Sequence, residues 1–285
     1  MICVECNNPG IDCLYSEFKS KYIKLTICPK CGQLADKYIE FDNVIIFLDV
    51  LLLEKQAYRH LAYNKVETAI FGQDPPQYRK IVRYVVLLVL FEVYLTWAYE
   101  EKKEHSSMLM SRVLSMPVAL QYAFFIIHQM IEQGMMFFML YIIFTKLFLW
   151  GNTRNQNLTD AHQKPYYMCV LLVTFLLSTA VRCLPIIMLI WPYDNALVAS
   201  GAVNILVFFC MVEGLRINTG RSYLAVFFAV AAALTLLVTA KETSMCFWVS
   251  LASLTPVKTL LKSEWSLYVE KVFNGWSLIQ AALNP

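Results

Sequence analysis

The chain has 285 residues, of which 58% are hydrophobic and only 16% are charged. Soluble domains carry about 25% charged residues, so this composition excludes an ordinary water-soluble fold. The net charge of +3 is too small, and the basic residues too scattered, to argue for a nucleic-acid-binding protein. The composition therefore predicts an integral membrane protein with no nucleic-acid partner.

Residues 1–40 are polar and carry two Cys-x-x-Cys pairs, Cys3 with Cys6 and Cys28 with Cys31. Each pair lies in a turn sequence, and two β-prone runs between the pairs outline a two-stranded ribbon. Zinc prefers four tetrahedral ligands, and four thiolates that leave no open position favour a structural ion. The segment is therefore predicted to be a zinc-ribbon module held together by Zn2+. A redox dithiol and unligated cysteines are the other interpretations.

Five further cysteines are not expected to bind the metal. Cys13 is expected in the core of the hairpin, and the other four lie in or beside apolar runs, where a buried cysteine acts as a small hydrophobe. No long apolar segment opens the sequence, so no cleaved signal peptide is expected. Free thiolates persist in a reducing compartment, so we expect the N-terminal module in the cytosol.

A helix that does not span the membrane is predicted directly after the ribbon. Asp42 suits its N-cap, and the apolar run that follows is interrupted by Asp49 and is too short to cross a bilayer. Residues 41–71 are therefore predicted to form an interfacial, amphipathic helix. Residues 72–80 contain consecutive prolines, which stop a helix, and are predicted to be a linker.

Apolar runs of about 20 residues follow, the length that a helix needs to cross the hydrocarbon layer. They predict a transmembrane bundle of four or five helices over residues 81–240, and hence an α-helical polytopic membrane protein with a small N-terminal zinc ribbon. The second run is unusually long and fits either one tilted helix or a re-entrant kink near Gly134. The predicted spans are residues 81–99, 117–150, 166–191, 196–212 and 222–240.

The distribution of Lys and Arg predicts the orientation of the bundle. Basic residues precede the first span and follow the second and fourth, whereas the turn after the third has none. This pattern predicts a cytosolic N-terminus by the positive-inside rule, although two lysines in residues 100–104 oppose it.

The C-terminal segment, residues 241–285, is predicted to be an interfacial helix. Trp265, Val269, Val272 and Trp276 recur at spacings of three and four, which places them on one helical face. Tryptophan favours the boundary between membrane and water, and an ordinary packed helix is the alternative.

Three ionisable residues, Glu92, Glu132 and Arg182, fall within the predicted spans. Charged groups at this depth are costly and usually face partners or a wet cavity. One interpretation is a polar site for a lipid headgroup or hydroxyl, and the other is a Glu–Arg pair that fixes the register of the helices. His128 lies one turn before Glu132, but two residues alone are a weak metal-binding signal.

Catalytic signatures are missing from the sequence. It contains no Gly-rich phosphate loop, no G-x-S-x-G and no H-E-x-x-H motif. The expected function is therefore non-enzymatic, and a membrane acyl- or glycosyltransferase ranks lowest among the hypotheses.

The first 65 residues resemble the Arv homology domain of the Arv family. The resemblance rests on the two cysteine pairs and on several blocks in the same order. Beyond Asn64 no individual residues match, and the resemblance is limited to a bundle of apolar spans. The matching blocks are residues 36–42, 44–49 and 56–61, with Asn64.

The resemblance implies a multi-pass protein of the endoplasmic-reticulum membrane, present also in the Golgi, that maintains lipid homeostasis. It implies a role in intracellular sterol distribution from the endoplasmic reticulum, with effects on sphingolipid metabolism and on assembly of the glycosylphosphatidylinositol anchor. The expected partners are membrane lipids, namely sterol and glycolipid intermediates. The alternative is a non-catalytic scaffold subunit of a glycosyltransferase complex in anchor biosynthesis.

Overall fold

The computed structural model of the chain describes residues 1–18, 22–72, 77–102, 113–115, 117–151, 160–183 and 196–253. In this part of the chain a two-stranded ribbon precedes seven helices, five of which are long and apolar enough to cross a membrane. The predicted fold class, an α-helical polytopic membrane protein with a small N-terminal ribbon, is confirmed. The candidate spans are Arg79–Ala98, Val118–Leu147, Gln163–Cys183, Ala202–Thr219 and Tyr223–Ala240.

The ribbon is a short antiparallel hairpin closed at its base by two cysteine turns. Strand β1 (Tyr15–Glu17) pairs with strand β2 (Ile23–Leu25), with Ser16 opposite Lys24. Five buried residues form its core. They are Cys3, Ile11, Leu14, Cys28 and Ala35. Cys13 is exposed, so its predicted place in the hairpin core is wrong: Ile11 and Leu14 fill that core.

Two helices occupy the region in which the sequence predicts one interfacial helix. The chain turns between them at Leu53, whose φ of 59° lies in the left-handed region. A bulky side chain rarely adopts this conformation, and no Gly or Pro marks the turn. The helices are α1 (Asn43–Leu51) and α2, which comprises Lys55–Arg59 and the π-helical turns His60–Asn64 and Glu67–Phe71.

Helix α2 packs against the bundle. Tyr63 and Ile70 are buried in one apolar cluster with Tyr166 and Val170 of the third span. The hydroxyl of Tyr63 also donates a hydrogen bond to the backbone carbonyl of Asn218. The helix is therefore the structural link between the ribbon and the spans.

The five spanning helices are continuous. Helix α4 passes through Gly134 without interruption, so the long second region is one helix and has no re-entrant kink. The bounds of the helices are α3 (Arg79–Lys102), α4 (Val118–Ile142, then the π-helical turn Ile143–Leu147), α5 (Asp160–Thr179, then the 3-10 turn Ala180–Cys183), α6 (Ala196–Thr219) and α7 (Tyr223–Ser253).

Helices α4 to α7 share the main apolar core, which includes Leu140, Phe175, Leu215 and Val230. Helix α3 joins through a separate cluster with the first half of α4, centred on Val93. Two predicted features extend outside the described residues. They are the last part of the third span, residues 184–191, and the interfacial helix predicted for residues 241–285, whose residues 241–253 continue α7.

Candidate metal centre and intramembrane polar site

The four cysteines of the ribbon converge on one point. Their sulfur atoms all lie within 4.8 Å of one another, with 3.8 Å between Cys3 and Cys31 and 3.7 Å between Cys6 and Cys28. A tetrahedral zinc ion with Zn–S bonds of about 2.3 Å requires sulfur–sulfur distances of about 3.8 Å. The cluster is therefore compatible with a zinc site.

Two similar backbone turns bring the cysteines together. The N–H of Asn7 donates to the carbonyl of Cys3, and the N–H of Gly32 donates to the carbonyl of Cys28, each at 2.9 Å. Asn7 and Gly32 both have positive φ, 57° and 70°. Because Asn and Gly tolerate this conformation best, the residue that follows each Cys-x-x-Cys pair closes the turn and aims both sulfur atoms inward.

The backbone also adjusts the acidity of the thiols. Backbone N–H groups of Cys31 and Lys30 donate to the sulfur of Cys28 and lower its pKa to about 6. Burial raises the pKa of the Cys3 thiol to about 12. A nearby divalent cation stabilises a buried thiolate, so this donor set suits a bound metal better than four free thiols.

A buried carboxylate, Asp36, fixes the ribbon to α2. Its Oδ2 lies 2.7 Å from Nδ1 of His60 and accepts a hydrogen bond from Nδ2 of Asn64, also at 2.7 Å. Its Oδ1 accepts the backbone N–H of Tyr38 at 3.0 Å. Asn64 in turn exchanges two hydrogen bonds with the backbone of Ile2, next to the first zinc-ligand candidate.

The same face of α2 holds the first cysteine turn. Nη1 of Arg59 donates to the carbonyls of Val4 and Glu5, both at 2.8 Å. Burial lowers the pKa of Arg59, whose positive charge lies over these two carbonyl dipoles. The block around residues 56–64 thus forms an internal joint, not an open surface.

A second polar group lies within the membrane-spanning helices. Glu92 of α3 is 6% exposed, and its carboxylate accepts hydrogen bonds from the amides of Gln129 and of Gln133, the latter at 2.7 Å. Nη1 of Arg182 lies 3.7 Å from Oε1 of the same carboxylate. The structure therefore brings Glu92 and Arg182 together, as their shared location in the spans suggests.

In Glu132, the third predicted residue, Oε2 lies 3.8 Å from Nε2 of His128, one turn earlier on α4. Among the described residues, the four ribbon cysteines are the only group of three or more potential metal ligands in close proximity. His128 and Glu132 therefore gain no third metal ligand there. The assignment of Glu132 to a lipid site stays a prediction.

Sequence reasoning missed the two glutamines that complete the Glu92 site. They lie four residues apart, so both face α3 from one side of α4. Uncharged amides within an apolar run are easily overlooked in a sequence. Two of them four residues apart nevertheless indicate a polar face on the helix. Nε of Arg182 has no hydrogen-bond partner among the described residues.

These features define a polytopic membrane protein with a four-cysteine ribbon that is anchored on its helical bundle. The family model described as the Arv1-like family matches residues 2–215, which is most of the chain. The chain therefore belongs to the Arv1-like family.

Proteins named ARV1 in several organisms are similar to this chain over most of their length. Protein ARV1 of Candida albicans is 42% identical, over 81% of this chain and 84% of that protein. Protein ARV1 of Saccharomyces cerevisiae is 30% identical, over 78% and 83%, and that of Homo sapiens is 29% identical, over 79% and 76%. No solved structure matches the chain.

Proposed function

We propose that this chain is a non-enzymatic lipid-homeostasis factor of the endoplasmic-reticulum membrane. In this proposal it distributes sterol from that membrane, and its effects on sphingolipid metabolism and on anchor assembly follow from this activity. Membership of the Arv1-like family and the five candidate spans support the proposal. The ribbon faces the cytosol, where reduced cysteines keep a structural Zn2+ bound.

The Glu92 site is the observation that carries the lipid assignment. A buried carboxylate can accept a hydrogen bond from an alcohol, and the adjacent guanidinium of Arg182 can donate one to an oxygen. A sterol is an apolar body with a single hydroxyl, so one small polar site among apolar helices is sufficient to orient it. The side chain of Arg182 is 26% exposed, which supports a site where the guanidinium can bind one further polar group.

The decisive test separates lipid handling from helix packing. Arg182→Met leaves Glu92 buried without its cation, whereas the double variant Glu92→Gln with Arg182→Met removes both charges and restores a neutral interface. If the pair only fixes the register of the helices, the double variant should recover both stability and sterol distribution. If the pair binds lipid, it should recover stability alone.

Sterol distribution can be measured in cells that carry this chain as their sole Arv protein. The readout is the fraction of newly made sterol that a membrane-impermeant cyclodextrin extracts from the cell surface. Glu213→Gln is a matched control, because it removes another Glu–Arg pair, with Arg216, that lies within one helix. The proposal predicts at least a threefold loss for the double variant and no change for the control, and normal distribution in the double variant contradicts it.

A second candidate function is a scaffold within a glycosyltransferase complex. It is favoured by apolar side chains on the ribbon that stay 43–76% exposed, namely Tyr15, Phe18, Tyr22, Ile23 and Ile27. The joint at Asp36 and His60 is internal and cannot serve as that interface.

Mass spectrometry of the protein purified from native membranes distinguishes the two functions. Stoichiometric sterol without a protein partner supports lipid handling. A stoichiometric transferase subunit that is lost when Tyr22→Glu and Ile27→Glu are combined supports the scaffold.

A further inference from the structure

Helix α1 is apolar on both sides. Ile46 and Val50 form a buried stripe against Tyr38, Ala57 and Tyr58. The opposite face is also apolar but uncovered among the described residues. It comprises Val44 (62% exposed), Ile45, Phe47 (55%), Leu48 and, just after the helix, Leu52 (73%). A helix that is hydrophobic all round is buried in a protein core or in a membrane.

The position of α1 relative to the spans indicates which environment covers this face. The residues at its end, Leu51 and Leu53, pack against the core of helices α4 to α7. On the adjoining helix α2, the Tyr58 ring contacts Gly214 of α6 so closely that a Cβ there would lie 2.9 Å from it.

Gly214 lies five residues before Thr219, where α6 ends. Ile217, close to that end, packs with Tyr38 beside the ribbon. At 1.5 Å per residue, Tyr58 is about 8 Å inside the end of that helix. In-plane membrane helices bury their apolar face by about 5–10 Å. With the end of the candidate span Ala202–Thr219 taken as the membrane boundary, the corner between α1 and α2 lies at the same depth.

The polar groups of α1 lie on the side away from the uncovered face. Asp49 accepts a hydrogen bond from the hydroxyl of Tyr38 at 2.8 Å, which turns its carboxylate toward the ribbon. No Lys or Arg lies on the helix. Attachment by this face would therefore depend on apolar burial and not on attraction to anionic headgroups.

We propose that α1 is an in-plane membrane helix, inserted in the leaflet on the ribbon side with Val44, Phe47, Leu48 and Leu52 among the acyl chains. The occupant of the uncovered face is lipid because the same corner of the chain already packs on the spanning helices, whose outward side chains face lipid at this depth. This inference is independent of the sterol proposal, since any lipid-embedded function is compatible with it.

Photo-crosslinking tests the proposal on the full-length protein in native membranes. The amino acid p-benzoylphenylalanine is placed at Phe47, which keeps an aromatic ring at that position. Phe91, exposed on the surface of α3, is the reference for a lipid-facing position, and Phe18 on the ribbon is the reference outside the spans. After irradiation, mass spectrometry of the purified chain identifies what is attached.

The proposal predicts phospholipid adducts at Phe47 with a yield within about threefold of that at Phe91. A crosslink from Phe47 to a second copy of the chain overturns the proposal in favour of a dimer interface. A crosslink to another protein overturns it in favour of a docking site, and the absence of any adduct places the face in water.

Discussion

The Oδ2 atom of Asp36 and the Nδ1 atom of His60 lie 2.7 Å apart in a fully buried joint between the ribbon and helix α2. One carboxylate thereby holds a metal-binding candidate against a helix that is itself packed on the membrane bundle. The joint explains why residues far apart in the sequence act as one structural unit.

Removal of Asp36 should release the ribbon from α2. The Asp36→Ala variant leaves buried donors on His60, Asn64 and Tyr38 without an acceptor, and we expect a loss on the order of 3 kcal/mol in the free energy of unfolding. Hydrogen exchange should rise in residues 1–40 while the spans stay protected. The matched control is Asp12→Ala, which removes an exposed carboxylate; equal effects of both changes would refute the joint.

The metal prediction concerns the cysteine cluster. The purified chain should contain one Zn2+, and Cys28→Ser should lose it because three thiolates no longer close the tetrahedron. Cys13→Ser is the control, since Cys13 is exposed and lies outside the cluster. Elemental analysis by plasma mass spectrometry measures the metal content. Full zinc content in the Cys28→Ser variant would exclude the four-cysteine site.

Two glycines in spanning helices should respond in opposite ways to alanine. A Cβ at Gly214 would lie 2.9 Å from the Tyr58 ring and 3.0 Å from Oγ of Ser178, whereas a Cβ at Gly134 meets nothing within 4 Å. We expect Gly214→Ala to reduce the free energy of unfolding by about 1–3 kcal/mol through overpacking. Gly134→Ala should raise it by up to about 1 kcal/mol, because alanine favours a helix.

The measurement for this glycine pair is denaturation by SDS in mixed micelles, followed by far-UV circular dichroism. Tyr58→Leu replaces the ring by a smaller side chain. It should recover much of the free energy of unfolding that Gly214→Ala removes. A loss that is unchanged in the double variant would mean that α2 does not pack on α6 at this point.

The Glu92–Arg182 pair should show strong energetic coupling. Arg182→Met leaves a buried carboxylate without its cation, which costs about 3–5 kcal/mol, while the double variant with Glu92→Gln should be much less destabilised. A double-mutant cycle by SDS denaturation gives the coupling free energy. Additive effects of the two changes would show that the 3.7 Å contact contributes little.

The sequence predicted the features that depend on composition or local spacing. The ribbon was predictable because metal ligation requires the spacing seen in Cys3, Cys6, Cys28 and Cys31. The spans were predictable because a helix needs an apolar run of about 20 residues to cross a membrane. The turn at Leu53 escaped prediction because no glycine or proline marks it, and only tertiary packing stabilises a leucine at positive φ.

Partners across helices could not be predicted for a different reason. Glu92 and Arg182 were recognisable as costly charges in an apolar layer, yet their neighbours depend on how α3 and α4 rotate about their axes. That rotation is set by packing around Val93 and Phe125, so Gln129 and Gln133 became visible only in the folded bundle. Similarly, Asp36 meets His60 and Asn64 because a folded ribbon presents it to α2.

The bond from Tyr63 to the carbonyl of Asn218 has a consequence for biogenesis. The two residues are 155 positions apart, whereas the ribbon closes within the first 36 residues. During synthesis the ribbon is therefore complete long before the translocation machinery releases α6. Until then the apolar side of α2 can pack on α5, but the hydroxyl of Tyr63 has no acceptor on α6. Docking of α2 on the bundle is therefore complete only once α6 has joined the other spans.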